Sequence, residues 1–141
     1  MNEFVFDDFP VKTYDKVRYA DTDRQGHVNN AVFSSFLETG RVEILYNTNY
    51  SILTSETSFV IASLKLNFVN EINWPGNVDI GTGILQIGNS SMVIYQMLFQ
   101  NNMCVAKAET TIVQINTLKK ISSPLTAAAR ETLKLWLLKI G

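Results

Sequence analysis

A chain of 141 residues, 46% of them apolar and with a formal charge of −1, sits near the commonest size for one domain and is long enough to bury its own core. The near balance of charge lacks the basic excess that neutralises phosphates, so nucleic acid is not an expected partner, and the apolar content argues against disorder. The opening MNEFVFDDFPVKTYD carries early acids without an apolar run, and no stretch reaches the roughly 18 apolar residues of a membrane span, which together predict a cytoplasmic protein. The single cysteine, Cys104, excludes an internal disulfide framework and reads as a small buried side chain beside Val105 and Ala106.

In chain order, Thr13 to Tyr19 alternates charge with Tyr14, Val17 and Tyr19, which predicts a first strand. A polar loop from Asp21 to Asn30 follows. From Asn30 to about Tyr46, Phe33, Phe36, Leu37, Gly40, Ile44 and Leu45 recur at helical spacing, and Asn29 or Asn30 can cap the start. Gly40 lies on the apolar stripe, where it costs about 1 kcal/mol of helix propensity relative to alanine, so the spacing predicts that the helix backbone packs closely on a neighbour.

Four β-rich segments come next, Phe59 to Asn70, Val78 to Gly88, Met92 to Gln100 and Val105 to Asn116. Trp74-Pro75-Gly76-Asn77, Gly88-Asn89-Ser90-Ser91 and Asn101-Asn102 are turn sequences between them, predicting antiparallel hairpins for the last three. Ser123-Pro124 reads as a cap and first residue of a closing helix over about 124–140, with Leu133, Trp136, Leu137 and Ile140 on one face. The expectation is a single α+β domain over 1–141 with its core at about 14–116. A lone helix across a five-stranded antiparallel sheet leaves edges uncovered, which predicts a homodimer or homotetramer.

The segment VRYADTDRQGHVNNAVFSSFLETGR, Val17 to Arg41, gathers two aspartates, the chain's single histidine, a glutamine and two asparagines where a loop enters the helix. A carboxylate beside the free amides of a helix start is an arrangement suited to stabilising a developing oxyanion. Arg18-Tyr19-Ala20-Asp21-Thr22-Asp23, Gly26-His27-Val28-Asn29-Asn30 and then Phe33, Phe36, Glu38 and Arg41 resemble the hotdog-fold acyl thioesterases, especially the group containing 4-hydroxybenzoyl-CoA thioesterase and the bacterial short acyl-CoA thioesterases. The wider order of elements carries the resemblance over about 14–116. It implies a hotdog fold, a long central helix wrapped by a five-stranded antiparallel sheet.

That resemblance also implies Asp23 as the catalytic carboxylate and Asp21 as its support. Bacterial members with a catalytic histidine place it where this chain has Asn30. The run His-Val-Asn-Asn is more similar to acyl-carrier-protein thioesterases, whose aspartate, amide two residues on and histidine four residues on match Asp23, Gln25 and His27. Gln25 stands where asparagine is usual, with the same hydrogen-bonding groups on a stem longer by one methylene. Glu71 resembles an acid used by that branch.

The expected substrate is an acyl-CoA thioester. Asp23 would act as nucleophile or as base for water, His27 would assist, and amides around Asn29 and Asn30 would hold the oxyanion. An acyl-carrier-protein substrate and a non-catalytic acyl-thioester binding module stay open as alternatives. A dehydratase would call for a histidine on the central helix, which has none. One histidine and one cysteine, with no glycine fingerprint for phosphates, imply neither metal nor cofactor. Glu38 and Arg41, three apart, read as an ordinary helix ion pair with Glu38 as a reserve acid. Phe59, Phe68, Tyr95 and Phe99 read as core or pocket wall. Lys119, Lys120 and Arg130 are the cations available to the phosphates of coenzyme A, although scattered surface cations are usually solvated.

Overall fold

The computed structural model describes residues 4–24 and 26–139. β1 (Val11–Lys16) precedes α1 (Phe33–Leu45), which is followed by β2 (Thr57–Phe68), β3 (Asn77–Ile87), β4 (Ser91–Gln100), β5 (Met103–Asn116) and α2 (Ala127–Leu133). The strands form one antiparallel sheet in the order β1-β3-β4-β5-β2. The consecutive hairpins β3-β4-β5 follow the predicted turns, and Asn101 and Asn102 both adopt positive φ, 52° and 64°, as a tight hairpin turn between twisted strands requires. β1 runs only to Lys16. Val17 is buried beyond it, and Tyr19 leaves the strand for a 3-10 turn, Tyr19–Asp21, where its exposed ring packs edge-on against Trp74.

The predicted stripe of α1 is the face that meets the sheet: Phe33, Phe36, Leu37, Gly40, Ile44 and Leu45 are all buried. Phe33, Phe36 and Leu37 pack with Val78, Ile80 and Leu98, and Ile44 and Leu45 pack with Ile84, Ile94 and Ile112. Each of these large side chains contributes roughly 1.5 to 3 kcal/mol by leaving water. Side chains alternate along a strand, so Tyr95, Met97 and Phe99 of β4 face the other way, where Phe4, Phe9 and Leu138 cover them. Cys104 is half-buried at the edge of this outer cluster.

The closing helix begins later than the sequence predicts. Thr126, not Ser123, is the cap, its hydroxyl accepting from Ala129 N at 3.0 Å. Residues before it are held extended: Ser123 N donates to Gln114 O, Leu125 N to Asn89 O, and the Gln114 amide donates to the carbonyls of Ser123 and Pro124 at 3.2 and 3.0 Å. These bonds outcompete helix nucleation at the proline. After Leu133 a 3-10 turn, Lys134–Trp136, ends the helical run. Leu137 bridges to Ile84 and is partly exposed, while Leu138 is buried; Ile140 lies outside the described residues. Among those described, no helix is long and apolar enough to cross a membrane.

Gly40 is where α1 comes closest to the sheet. A Cβ there would stand 2.5 Å from Gln96 Nε2 and Thr82 Oγ1 and 2.6 Å from an Ile80 methyl. Gly40→Ala is therefore expected to lower stability by about 1 to 3 kcal/mol through overpacking, even though alanine recovers about 1 kcal/mol of helix propensity. Equilibrium denaturation of the two proteins measures the difference.

Candidate active site

The loop after β1 is stitched in place on both sides. Asp21, 3% exposed, accepts from Arg18 N at 2.8 Å, from Arg18 Nη2 at 2.8 Å and from Arg18 Nε at 3.2 Å. The loop then folds back on itself. Thr22 bridges Val28, Asp23 N donates to His27 O at 2.8 Å, and Gly26 N donates to Asp23 O at 3.3 Å. Gly26 sits at φ 80°, a conformation that glycine adopts without steric cost. Val28 N donates to Ile72 O at 2.8 Å and His27 bridges Asn73, so the return arm is also tied to the segment leaving β2.

At the helix start, Asn29 acts as the cap that the sequence predicts: its side chain accepts from Ala31 N at 3.0 Å, and its carbonyl accepts from Val32 N at 2.9 Å. A 3-10 turn, Asn30–Val32, leads straight into α1. The backbone amide of Asn29 is engaged, donating to Asp21 O at 2.8 Å. Of the two amides expected as donors, that of Asn30 is the one without an acceptor among the described residues.

These elements enclose a cavity of about 290 Å³ walled by Asp23, His27, Asn30, Phe33, Phe68 and Glu71. Within it, Asp23 Oδ1 accepts from His27 N at 3.3 Å, and His27 Nε2 stands 3.1 Å from Glu71 Oε2. The Phe33 and Phe68 rings meet edge to face with centroids 4.9 Å apart. Among the described residues no lysine or arginine lines this space. Asp23, His27, Asn30 and Glu71, singled out from the sequence, are thus brought together; Gln25 lies outside the described residues. Val69 and Asn70 also line the cavity. The sequence carried no signal for them beyond the end of an apolar strand.

Other candidates lie elsewhere. Glu38 and Arg41 line a separate, smaller cavity, and among the described residues they make no ion pair with each other. Arg41 is 6% exposed while Glu38 stays in solvent, because the helix turns Arg41 with its apolar stripe toward the sheet. Arg130 donates to the carbonyl of Gly88 and fastens α2 to the end of β3. Lys119 and Lys120 are exposed in the turn after β5. None of these three cations lines the Asp23 cavity.

A family model described as the thioesterase-like superfamily matches residues 17–137. The chain belongs to that superfamily. Its architecture is the hotdog fold, and its class is thioester hydrolase. Over 122 residues it is 25% identical to the acyl-CoA thioesterase YbgC of Haemophilus influenzae, covering 82% of this chain and 87% of that protein. It is similar to a thioesterase from Thermus thermophilus solved with coenzyme A and Zn, at 28% identity and a TM-score of 0.78, covering 89% of this chain and 92% of the other. A predicted thioesterase from Bacillus stearothermophilus superposes with a TM-score of 0.83 at 29% identity, covering 93% and 98% of the two chains.

Asp21 underpins the loop of this thioesterase-like chain electrostatically. Burial alone would push its carboxyl pKa up, but the hydrogen bonds from the Arg18 side chain and backbone, with the guanidinium charge, outweigh burial and hold it below the usual carboxylate value. A carboxyl depressed in the folded state adds stability that is present above its unfolded pKa, near 3.9, and is lost as pH falls through the folded value. Asp21→Asn is therefore expected to lower Tm near neutral pH and to flatten the acid limb of Tm against pH, with the two proteins converging in strong acid. Thermal melts across that range read the effect.

Proposed function

We propose that this chain hydrolyses acyl-CoA thioesters to the free acid and coenzyme A, with Asp23 as the reacting carboxylate. The observation that carries the reading is that Asp23 and Asn30 line one cavity at the start of α1, where the backbone amide of Asn30 has no acceptor among the described residues. A thioester carbonyl lying between them would meet a carboxylate on one side and, on the other, an N–H backed by the positive end of the helix dipole. With no cation in the described walls, polarisation of the carbonyl falls to that amide, which the helix holds in position before the substrate arrives.

Two routes are compatible with this arrangement. Asp23 attacks the carbonyl carbon, the thiolate leaves and water then cleaves the mixed anhydride; or Asp23 takes a proton from water as that water attacks. In both, negative charge builds on the carbonyl oxygen and is met by the Asn30 N–H. His27, held on one side by its backbone bond to Asp23 and facing Glu71 on the other, is suited to orienting water or protonating the departing thiolate. A thiolate is a good leaving group, so His27 is assigned the smaller share. Phe33, Phe68 and Val69 supply an apolar wall for the acyl group.

Thiol release from a panel of acyl-CoA thioesters tests this reading. Asp23→Asn is expected to reduce kcat by roughly 100 to 10,000-fold, and His27→Ala by less. Full turnover in Asp23→Asn would remove Asp23 from the reaction. A parallel panel on acyl carrier protein separates the two carriers: release from that panel alone would reassign the substrate, and binding without release on either would indicate a non-catalytic module.

A further inference from the structure

Tyr19 and Trp74 are aromatic side chains left 72% and 44% exposed, with ring centroids 5.2 Å apart and planes at 74°. Both stand on braced backbone. The carbonyl of Tyr19 accepts from Thr22 N at 3.1 Å and from the Thr22 hydroxyl at 2.7 Å. Asn73, immediately before Trp74, donates its N–H to Gln100 Oε1 at 2.9 Å and accepts at its carbonyl from Gln100 Nε2 at 2.8 Å, and this glutamine is itself buried. Two large rings held in water gain little from the hydrophobic effect. Fixed nearly at right angles, they form a corner in which a third flat ring can stack on one face and meet the edge of the other, both favoured aromatic geometries.

The place of this corner in the fold decides which ring it suits. Asn73 bridges His27, and the turn Tyr19–Asp21 runs on toward Asp23, so the pair stands beside the Asp23 cavity without lining it. Coenzyme A continues beyond its thioester as a pantetheine arm that ends in an adenosine nucleotide with its phosphates. Since no lysine or arginine lines the cavity among the described residues, the cations that meet those phosphates lie outside it. Lys16 and Arg18, both exposed, run alongside the Trp74 turn: Lys16 pairs with Asn77, and Val17 N donates to Gly76 O at 2.9 Å. Arg18 is held by Asp21 through Nε and Nη2, yet its side chain stays 74% exposed, which presents a fixed guanidinium to an anion. The neighbouring Asp15 accepts from the Thr39 hydroxyl at 3.0 Å. Two rings match the size of one base and fall far short of the roughly 800 Å² per partner that a stable protein interface buries. We propose that Tyr19 and Trp74 form a platform for the adenine ring of coenzyme A, with Lys16 and Arg18 meeting its phosphates, a site that rests on the proposed hydrolysis of acyl-CoA.

Steady-state kinetics on an acyl-CoA and on the acyl-pantetheine with the same acyl group, which has no nucleotide, test the platform in the wild type, Tyr19→Ser, Trp74→Ser and Trp74→Phe, with thermal melts to establish that each is folded. The wild type is expected to show a KM for acyl-CoA at least about 5-fold below that for acyl-pantetheine. Each serine variant should bring the two values together, and Trp74→Phe should keep most of the gap. Equal KM values in the wild type, or a gap that persists in both serine variants, would overturn the platform and leave the hydrolase reading standing. A wild type that releases thiol from neither substrate would remove the hydrolase reading instead, and fluorescence then decides the platform. Trp136 is buried, so quenching by ADP, which carries the adenosine and the pyrophosphate of coenzyme A, reports on Trp74. Saturable quenching that weakens in Tyr19→Ser upholds the platform, and its absence in the wild type overturns it.

Discussion

Gln96 reaches from the middle of the sheet to donate to the carbonyl of Leu37 at 2.9 Å and to the hydroxyl of Thr82 at 3.0 Å, and it can do so because Gly40 puts no side chain in the way. A helix lying on a sheet through apolar contacts alone can slide or rotate at modest cost, since hydrophobic burial has no direction. The Gln96 bond has direction. It fixes one carbonyl of α1 to one point of β4, and the apolar rows on either side, Phe33 to Leu37 and Ile44 to Leu45, then have a single register in which to pack.

That registration is transmitted to the site by the rigidity of the helix. Asn30 begins the helical run seven residues before Leu37, a distance of about 10 Å along the axis, so the open amide is positioned by a contact made deep in the core. The carboxylate reaches the same place by a separate path. Asp21 anchors the loop to Arg18, Asp23 and His27 exchange bonds across the turn, and Val28 is tied to Ile72. Asn30 and Asp23 thus rest on different supports that converge on one cavity, the preorganisation that the proposed hydrolysis calls for.

Much of this was legible in the residues themselves. The stripe from Phe33 to Leu45, the β-rich segments and the Asn101-Asn102 turn each carry a periodicity or a backbone requirement that local physics enforces, and the structure follows them. The anomalous Gly40 announced a close approach without naming Gln96 as its cause, because the bond it makes room for, from Gln96 to the carbonyl of Leu37, joins residues 59 apart in the chain. Ser123-Pro124 misled for a similar reason: as a local signal it favours a helix start, but bonds to Gln114 and Asn89 hold the segment extended. Arg41 is the clearest case of tertiary context overriding a pairwise rule. Spacing of three suggests an ion pair with Glu38, whereas rotation of the helix buries one partner and leaves the other in water. At the site, composition drew attention to Asp23 and His27, but the engagement of the Asn29 amide depends on a loop closure that no spacing reveals.

The cavity draws its walls from three stretches of chain with unequal freedom to change. The helix start is committed to capping and the Asp21–His27 turn to its own internal bonds, while the exit of β2 contributes Val69, an exposed side chain at the rim. If the cavity takes the acyl group as proposed, a substitution there alters the shape and polarity it offers without disturbing either Asp23 or Asn30. On the proposed function, a change of substrate preference therefore has a short route at the strand exit, one that leaves Asp23 and Asn30 where they are.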